Sequence, residues 1–285
     1  MSGNGASPTV YKRQLGMALT SLRETMGKTQ DNAAEVLECS PAKIRRIEVG
    51  DVAIRAAELH VLLDFYGASK QARKPIEELA REARKRRPRT PYGTVLPDFF
   101  RRYFNLEQIA TEVLLYHPEL VPGQFQTADY ARALIEANPN HDPDEVERLI
   151  EARQSRQARI TGPTPQLQHV ILHEAAVRTQ VGGPAVLKAQ LQHLRKLAGQ
   201  PNITLQVIPF SAGAHAAANF PFILLRFADN QRNIVYLESL TTANSVDEPS
   251  HVAQYETTFR HVAGTALSPT KSSALLATVV SELST

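Results

Sequence analysis

Along the first third of the chain, apolar side chains recur three and four residues apart, the period of helices that bury one face. Leu15, Leu19, Leu22 and Met26 form one such stripe, and Gly27 stops it. Leu59, Leu62, Leu63 and Tyr66 form another, closed by Gly67, and a further helix is predicted over Lys70 to Lys85. Between them, Thr29 to Gly50 reads as two short helices joined by a tight turn. Thr29 stands where an N-cap belongs, Gln30 opens the first helix, and Ala33, Ala34 and Leu37 give it a small inner face. Glu38-Cys39-Ser40 is the turn. Ser40 caps the second helix, and Pro41 takes its first position, where a missing N–H costs nothing.

The pattern changes after Pro88-Arg89-Thr90-Pro91-Tyr92-Gly93, where proline and glycine cluster and the helical period stops. Helices are predicted over Asp98 to Ala110, Thr127 to Ala137, Asp142 to Ile160, Pro184 to Leu197, Ser250 to Ala263 and Thr270 to Leu283. Strands are predicted over Glu112 to Tyr116, Gln166 to His173, Ile203 to Val207, Phe222 to Phe227 and Ile234 to Leu237. Strict alternation in Ile203 to Val207 predicts one buried face. The almost wholly apolar runs at Phe222 and Ile234 suit central strands. The fold class that follows is mainly α with a smaller β component (α+β): an N-terminal helix-turn-helix bundle plus a C-terminal helix-rich α+β domain with a small sheet. Its divisions are a disordered N-terminus over 1–9, a DNA-binding domain over 10–87, a linker over 88–97, and a regulatory or partner-binding domain over 98–285.

The second short helix sorts its side chains. At about 100° per residue, Ile44 and Ile47 fall together and face inward. Ala42, Arg45 and Arg46 lie opposite, with Pro41 and Lys43 on the flanks. A solvated charged face is the plain alternative. The paired caps, the two-helix spacing and the flanking helices favour DNA, whose major groove admits a helix and offers guanine O6 and N7 to arginine or lysine. Gln30 is expected on a phosphate. Pro41, Ala42 and Arg46 are expected at base edges, with Arg46 the candidate for guanine. Lys43 and Arg45 divide between bases and phosphates, and Ser40 helps through its backbone or hydroxyl.

Charge agrees with this assignment. Residues 1–89 hold 17 Lys+Arg against 11 Asp+Glu, and the remainder holds 15 against 18, a basic third on a mildly acidic body. The basic run Arg81, Arg84, Lys85, Arg86, Arg87 and Arg89 suits either DNA phosphates or a solvated linker. The hydrophobic content of 42% and charged content of 21% are those of an ordinary globular protein, with no membrane-spanning run and no signal-peptide core. One cysteine excludes an intramolecular disulfide and suits a reducing cytoplasm.

The run T-Q-x-x-A-A-x-x-L-x-x-S-x-x-K-I-x-R-I-E-x-G resembles the helix-turn-helix of XRE-type (Cro/cI-like) bacterial transcriptional regulators. Glu38 departs from it, standing where that family usually places a glycine in the turn, so the turn is expected either to carry backbone strain of about 1 kcal/mol or to take a different shape. Further on, LVPGQFQTADYARAL, NITLQVIPFSAGAH, PFILLRF and IVYLESL together resemble an actinomycete regulator class with an antitoxin-like C-terminal domain. The resemblance implies a small partner protein encoded alongside.

Candidate chemistry in the C-terminal half is sparse. His169-x-x-x-His173-Glu174 has two ligand types on one face but no third ligand, and polar strand positions near a sheet edge are the expectation. Ser211-Ala-Gly-Ala-His215 lacks a nucleophile elbow and reads as a loop between strands, with His215 a candidate pocket residue. Lys188, Lys196 and Lys271 lie on no apolar strand, which argues against a Ser-Lys pair. Cys39 reads as a small buried residue rather than an oxidation switch. The sequence therefore predicts a non-enzymatic transcriptional regulator without metal or cofactor. Its expected partners are double-stranded DNA, a second copy of itself, the small neighbouring protein and a small-molecule effector, with no membrane. An antitoxin-like module that neutralises a small partner protein, with DNA binding only autoregulatory, is the alternative, and a DNA-targeted enzyme comes third.

Overall fold

Helical stripes and alternating strands organise two compact units, Met1–Thr90 and Pro91–Thr285. The computed structural model describes residues 8–85, 92, 96–139, 141–218, 220–228 and 233–283. Within the first unit, α1 (Pro8–Thr25), α2 (Gln30–Val36), α3 (Pro41–Glu48), α4 (Ala56–Phe65) and α5 (Lys70–Ala83) close around one core. Leu15, Leu19, Ile44, Ile47, Leu59, Leu62, Leu63 and Tyr66 form its centre, which is the stripe the helical period selects. Met26, expected on that stripe, is exposed. The helix begins at Pro8, inside the stretch expected to be disordered; residues 1–7 lie outside the described ones.

In the second unit α6 (Asp98–Glu107) leads to β1 (Glu112–His117), then α7 (Ala128–Glu136), α8 (Pro143–Thr161) and β2 (Leu167–His173). A short α9 (Glu174–Arg178) and α10 (Gly183–Ala198) precede β3 (Ile203–Ile208). The chain continues through β4 (Phe222–Arg226), β5 (Ile234–Glu238), β6 (Ala243–Val246), α11 (Pro249–Thr265) and α12 (Pro269–Glu282). The six strands pair in the order β3-β2-β1-β4-β5-β6. β1, β2 and β3 run parallel, joined through helices as parallel strands must be. β4, β5 and β6 continue antiparallel from β1.

Helices cover both faces of this sheet. Val113, Leu115, Val170, Leu172, Leu205 and Val207 meet α10 and α12 through Leu187, Leu191, Leu276 and Val279. Alternate residues Leu114, Tyr116, Ile171, Ile208 and Val235 meet α11 through Val252, Phe259 and Val262. Two-sided burial is why β4 and β5 are apolar up to their last residues, Arg226 and Glu238, and both are interior strands.

It also corrects the reading of β3. Its alternation holds, but Gln206 on the polar side is buried as well, and its amide donates to the carbonyls of Ala263 and Leu267 while its Oε1 accepts from His169. Covering a polar position is tolerated because each of its hydrogen bonds is made. β6, with the sequence Ala-Asn-Ser-Val, carries no apolar period and is legible only as the partner of β5. Leu96 is buried against Phe104 and Ala152, so the end of the expected linker 88–97 packs on the C-terminal core. Of that linker only residues 92, 96 and 97 are described. Among the described residues no helix is long and apolar enough to cross a membrane.

Candidate nucleic-acid interface

The two short helices are held by local bonds before any tertiary contact. Thr29 Oγ1 accepts from Asn32 N–H at 3.1 Å and Asn32 Oδ1 accepts from Thr29 N–H at 3.0 Å, a reciprocal cap on α2. At the other end Glu38 N–H donates to Glu35 C=O and Cys39 N–H donates to Ala34 C=O. That closure requires a left-handed residue, and Glu38 supplies it at φ 48°, the one non-glycine with positive φ among the described residues. The same closure ends α1 and α4 at Gly27 and Gly67. The strain expected at Glu38 is therefore present.

Behind the turn, α3 is pinned to α1 and α2. Glu48 accepts from Arg23 Nε at 2.6 Å, from Arg23 Nη2 at 3.0 Å and from Gln30 Nε2 at 2.7 Å, with the two charged side chains only 9% and 6% exposed. The bond to Glu48 is the main reason the Arg23 pKa is raised, against the opposing effect of burial. Gly16 lets α1 touch the end of α3 directly: a Cβ there would stand 2.1 Å from the Glu48 carbonyl oxygen.

The outward face then divides. Pro41, Ala42, Arg45 and Arg46 are exposed, while Ile44 and Ile47 are buried beneath them. Neither arginine side chain makes a hydrogen bond or ion pair among the described residues, so both forks are open. Ser40 is exposed at the N-cap position with backbone angles that suit a cap, yet its hydroxyl makes no cap bond. Ser40 is the N-cap residue of α3, as expected, but without a side-chain cap bond: Pro41 and the helix backbone suffice, and the hydroxyl is left for an external partner. Lys43 is different. Its Nζ donates to Glu58 Oε1 of α4 at 2.7 Å. Burial pushes the Glu58 carboxyl up, but the Lys43 bond and the Arg55 N–H together hold it below the usual carboxylate range. Gln30 also has its amide engaged, on Glu48.

Sequence reasoning missed Gly16, Glu48 and Glu58. Glu48 was readable only as part of a motif, and a glycine in mid-helix gives no sign of what it touches. Cys39 is half-buried against the core, with Sγ 3.7 Å from the Ser40 carbonyl oxygen. Within the basic run, Arg81 and Lys85 both lie on Glu82, Arg84 reaches the Ile54 carbonyl, and Arg86, Arg87 and Arg89 lie outside the described residues.

The distinctive motifs of the second unit serve its interior. Gln124 Oε1 accepts from Arg156, whose buried guanidinium also holds Glu107 through two bonds. Gln190 accepts from Thr127 N–H and donates to the Phe125 carbonyl, fixing the turn over Pro122 to Gln126. His169 and His173 sit on β2, next to the edge strand β3 and so near the sheet edge as expected. His169 bonds Gln206 and His173 accepts from Ala175 N–H. His215 lies 3.3 Å from the Tyr116 hydroxyl.

Residues 14–76 match a family described as a helix-turn-helix domain, which supports a DNA-binding regulator. Residues 100–278, more than half the chain, match a family described as a domain of unknown function, DUF5753, and the chain belongs to that family. No curated protein and no solved structure matches it.

Proposed function

We propose that the protein is a sequence-specific transcriptional regulator whose α3 enters the DNA major groove. The observation that carries the reading is the pair of exposed, unpartnered arginines on α3, set on a helix whose back is locked by Ile44, Ile47 and the Arg23–Glu48 pair. Charge without competing intramolecular partners, on a helix that cannot rotate, is what direct readout needs. Arg46 reads guanine, Pro41 and Ala42 approach bases, and Arg45 with the Ser40 hydroxyl takes phosphate. Lys43 and Gln30 act less directly: Lys43 must leave Glu58 to reach a phosphate, and Gln30 mainly orients Glu48.

A single helix of this size contacts too few base pairs for useful specificity, so the protein binds as a homodimer on a roughly palindromic operator. The C-terminal unit supplies a sensing role, through a small-molecule effector or the small partner protein that the sequence resemblance implies. It performs no catalysis in this scheme.

Fluorescence anisotropy on DNA from upstream of its own coding sequence, over several salt concentrations, tests the reading. Wild type should prefer that fragment over a scrambled one, and Arg46→Ala should lose about 1–3 kcal/mol on the specific fragment alone. Equal loss on both fragments would reduce Arg46 to a phosphate contact and remove the basis for direct readout.

A further inference from the structure

The two histidine motifs of the second unit meet in space. His173 ends β2, and the crossover from β3 to β4 carries His215 across the same end of the sheet, leaving the ring centres 6.2 Å apart. Tyr116, next to last on β1 and paired with Phe222 of β4, lies beside them. The strand order β3-β2-β1-β4-β5-β6 changes its direction of growth between β1 and β4. In open sheets of this kind ligands bind outside the carboxyl ends of the parallel strands, at that change of direction.

The backbone fixes both imidazoles in one tautomer. His173 Nδ1 accepts from Ala175 N–H at 3.2 Å and His215 Nδ1 accepts from Ala217 N–H at 3.3 Å. Each neutral ring therefore carries its hydrogen on Nε2. His215 Nε2 then donates to Tyr116 Oη, which leaves the phenol hydrogen without an acceptor among the described residues, on a side chain 1% exposed. The His173 Nε2–H, on a half-buried ring and open to solvent, has no hydrogen-bond partner among the described residues. A donor on a buried side chain is ordinarily paired, so the Tyr116 hydroxyl hydrogen, on a ring clustered with His215 and the half-buried His173, points to an acceptor from outside the chain. Beside them Phe210 stands edge-on to His173 at 5.2 Å and is 55% exposed, an apolar wall with nothing on it. Glu174 holds the Phe210 loop through the Phe210 N–H at 2.8 Å and is balanced by Arg178 at 2.7 Å. Its carboxylate disfavours a doubly charged ligand.

We propose that this corner binds a small monocarboxylate with a flat apolar body. The carboxylate oxygens accept from Tyr116 O–H and His173 Nε2–H, and the body lies on Phe210. Such a ligand is the effector class for the sensing role given above; only that regulatory consequence rests on the proposed function, not the binding itself.

The probe is phenylacetate, titrated into the full chain while the imidazole nitrogen resonances are followed by NMR. Benzylamine, of like shape and opposite charge, and inorganic phosphate are the controls. Phenylacetate should shift the His173 and His215 resonances saturably, and neither control should. Tyr116→Phe keeps the ring and should raise the half-saturating concentration about tenfold. Phe210→Ala, at an exposed site, should weaken binding without disturbing the donors. Absence of a saturable shift, an equal response to either control, or wild-type binding by Tyr116→Phe would overturn the proposal. No DNA is present, so failure of DNA reading by the first unit leaves this outcome untouched.

Discussion

Glu38 is the residue at which local chemistry and backbone geometry conflict. Its φ of 48° is demanded by the closure of α2, and the neighbouring helices α1 and α4 meet the same demand with glycine. A Cβ in this conformation costs about 1 kcal/mol, so Glu38→Gly should stabilise the N-terminal unit by that order, read as slower amide exchange in α2 and α3. Unchanged or faster exchange would mean that Glu38 makes a compensating interaction. Because a carboxylate at this point also sits beside the start of α3, the same substitution removes a negative charge from the approach to DNA.

At the scale of elements, α3 is a lever clamped from behind and partly restrained in front. The restraint is Glu58 on α4, which holds Lys43 at 2.7 Å. Glu58→Gln should release that cation to phosphate, strengthening binding to any duplex and steepening the salt dependence by about 0.9 in the slope of log K against log salt. An unchanged slope would show that Lys43 never reaches DNA. These relations explain what was legible in the sequence. The stripes Leu15-Leu19 and Leu59-Leu62-Leu63, the cap at Thr29 and the turn at Glu38 follow from local spacing and were readable. The Lys43–Glu58 pair, the Arg23–Glu48 pair and the approach of α3 to Gly16 join residues far apart in the chain, and no local period encodes them. For the same reason the strand at Ala243 went unseen while the apolar strands did not, and His173 and His215 could be singled out separately but not placed together.

Across the whole molecule, the two units differ in how they answer to pH. In the second unit burial depresses the pKa of His117, whose Nδ1 is enclosed without a partner, and the Glu119 carboxylate opposes this only in part. Burial lowers His169, His193 and His215 too. Such groups are neutral in both folded and unfolded chains above about 6.5, so stability there does not change on their account. Below that value the unfolded chain takes up protons that the folded one refuses, and stability is lost as pH falls towards the depressed folded values. The melting temperature of the second unit should be flat from about pH 8 to 7 and fall as the pH drops below about 6.5; a rise on acidification would contradict the burial of these rings. The first unit holds a single histidine against eight in the second. What joins the scales is the claim that a clamped α3 reads bases through Arg46. Selection of bound sites from a random duplex library, sequenced for wild type and Arg46→Ala, tests it most directly. Wild type should select a palindromic motif with one guanine in each half-site, and Arg46→Ala should abolish that guanine preference while the rest of the motif survives. An identical motif from both proteins, or none from either, would contradict it.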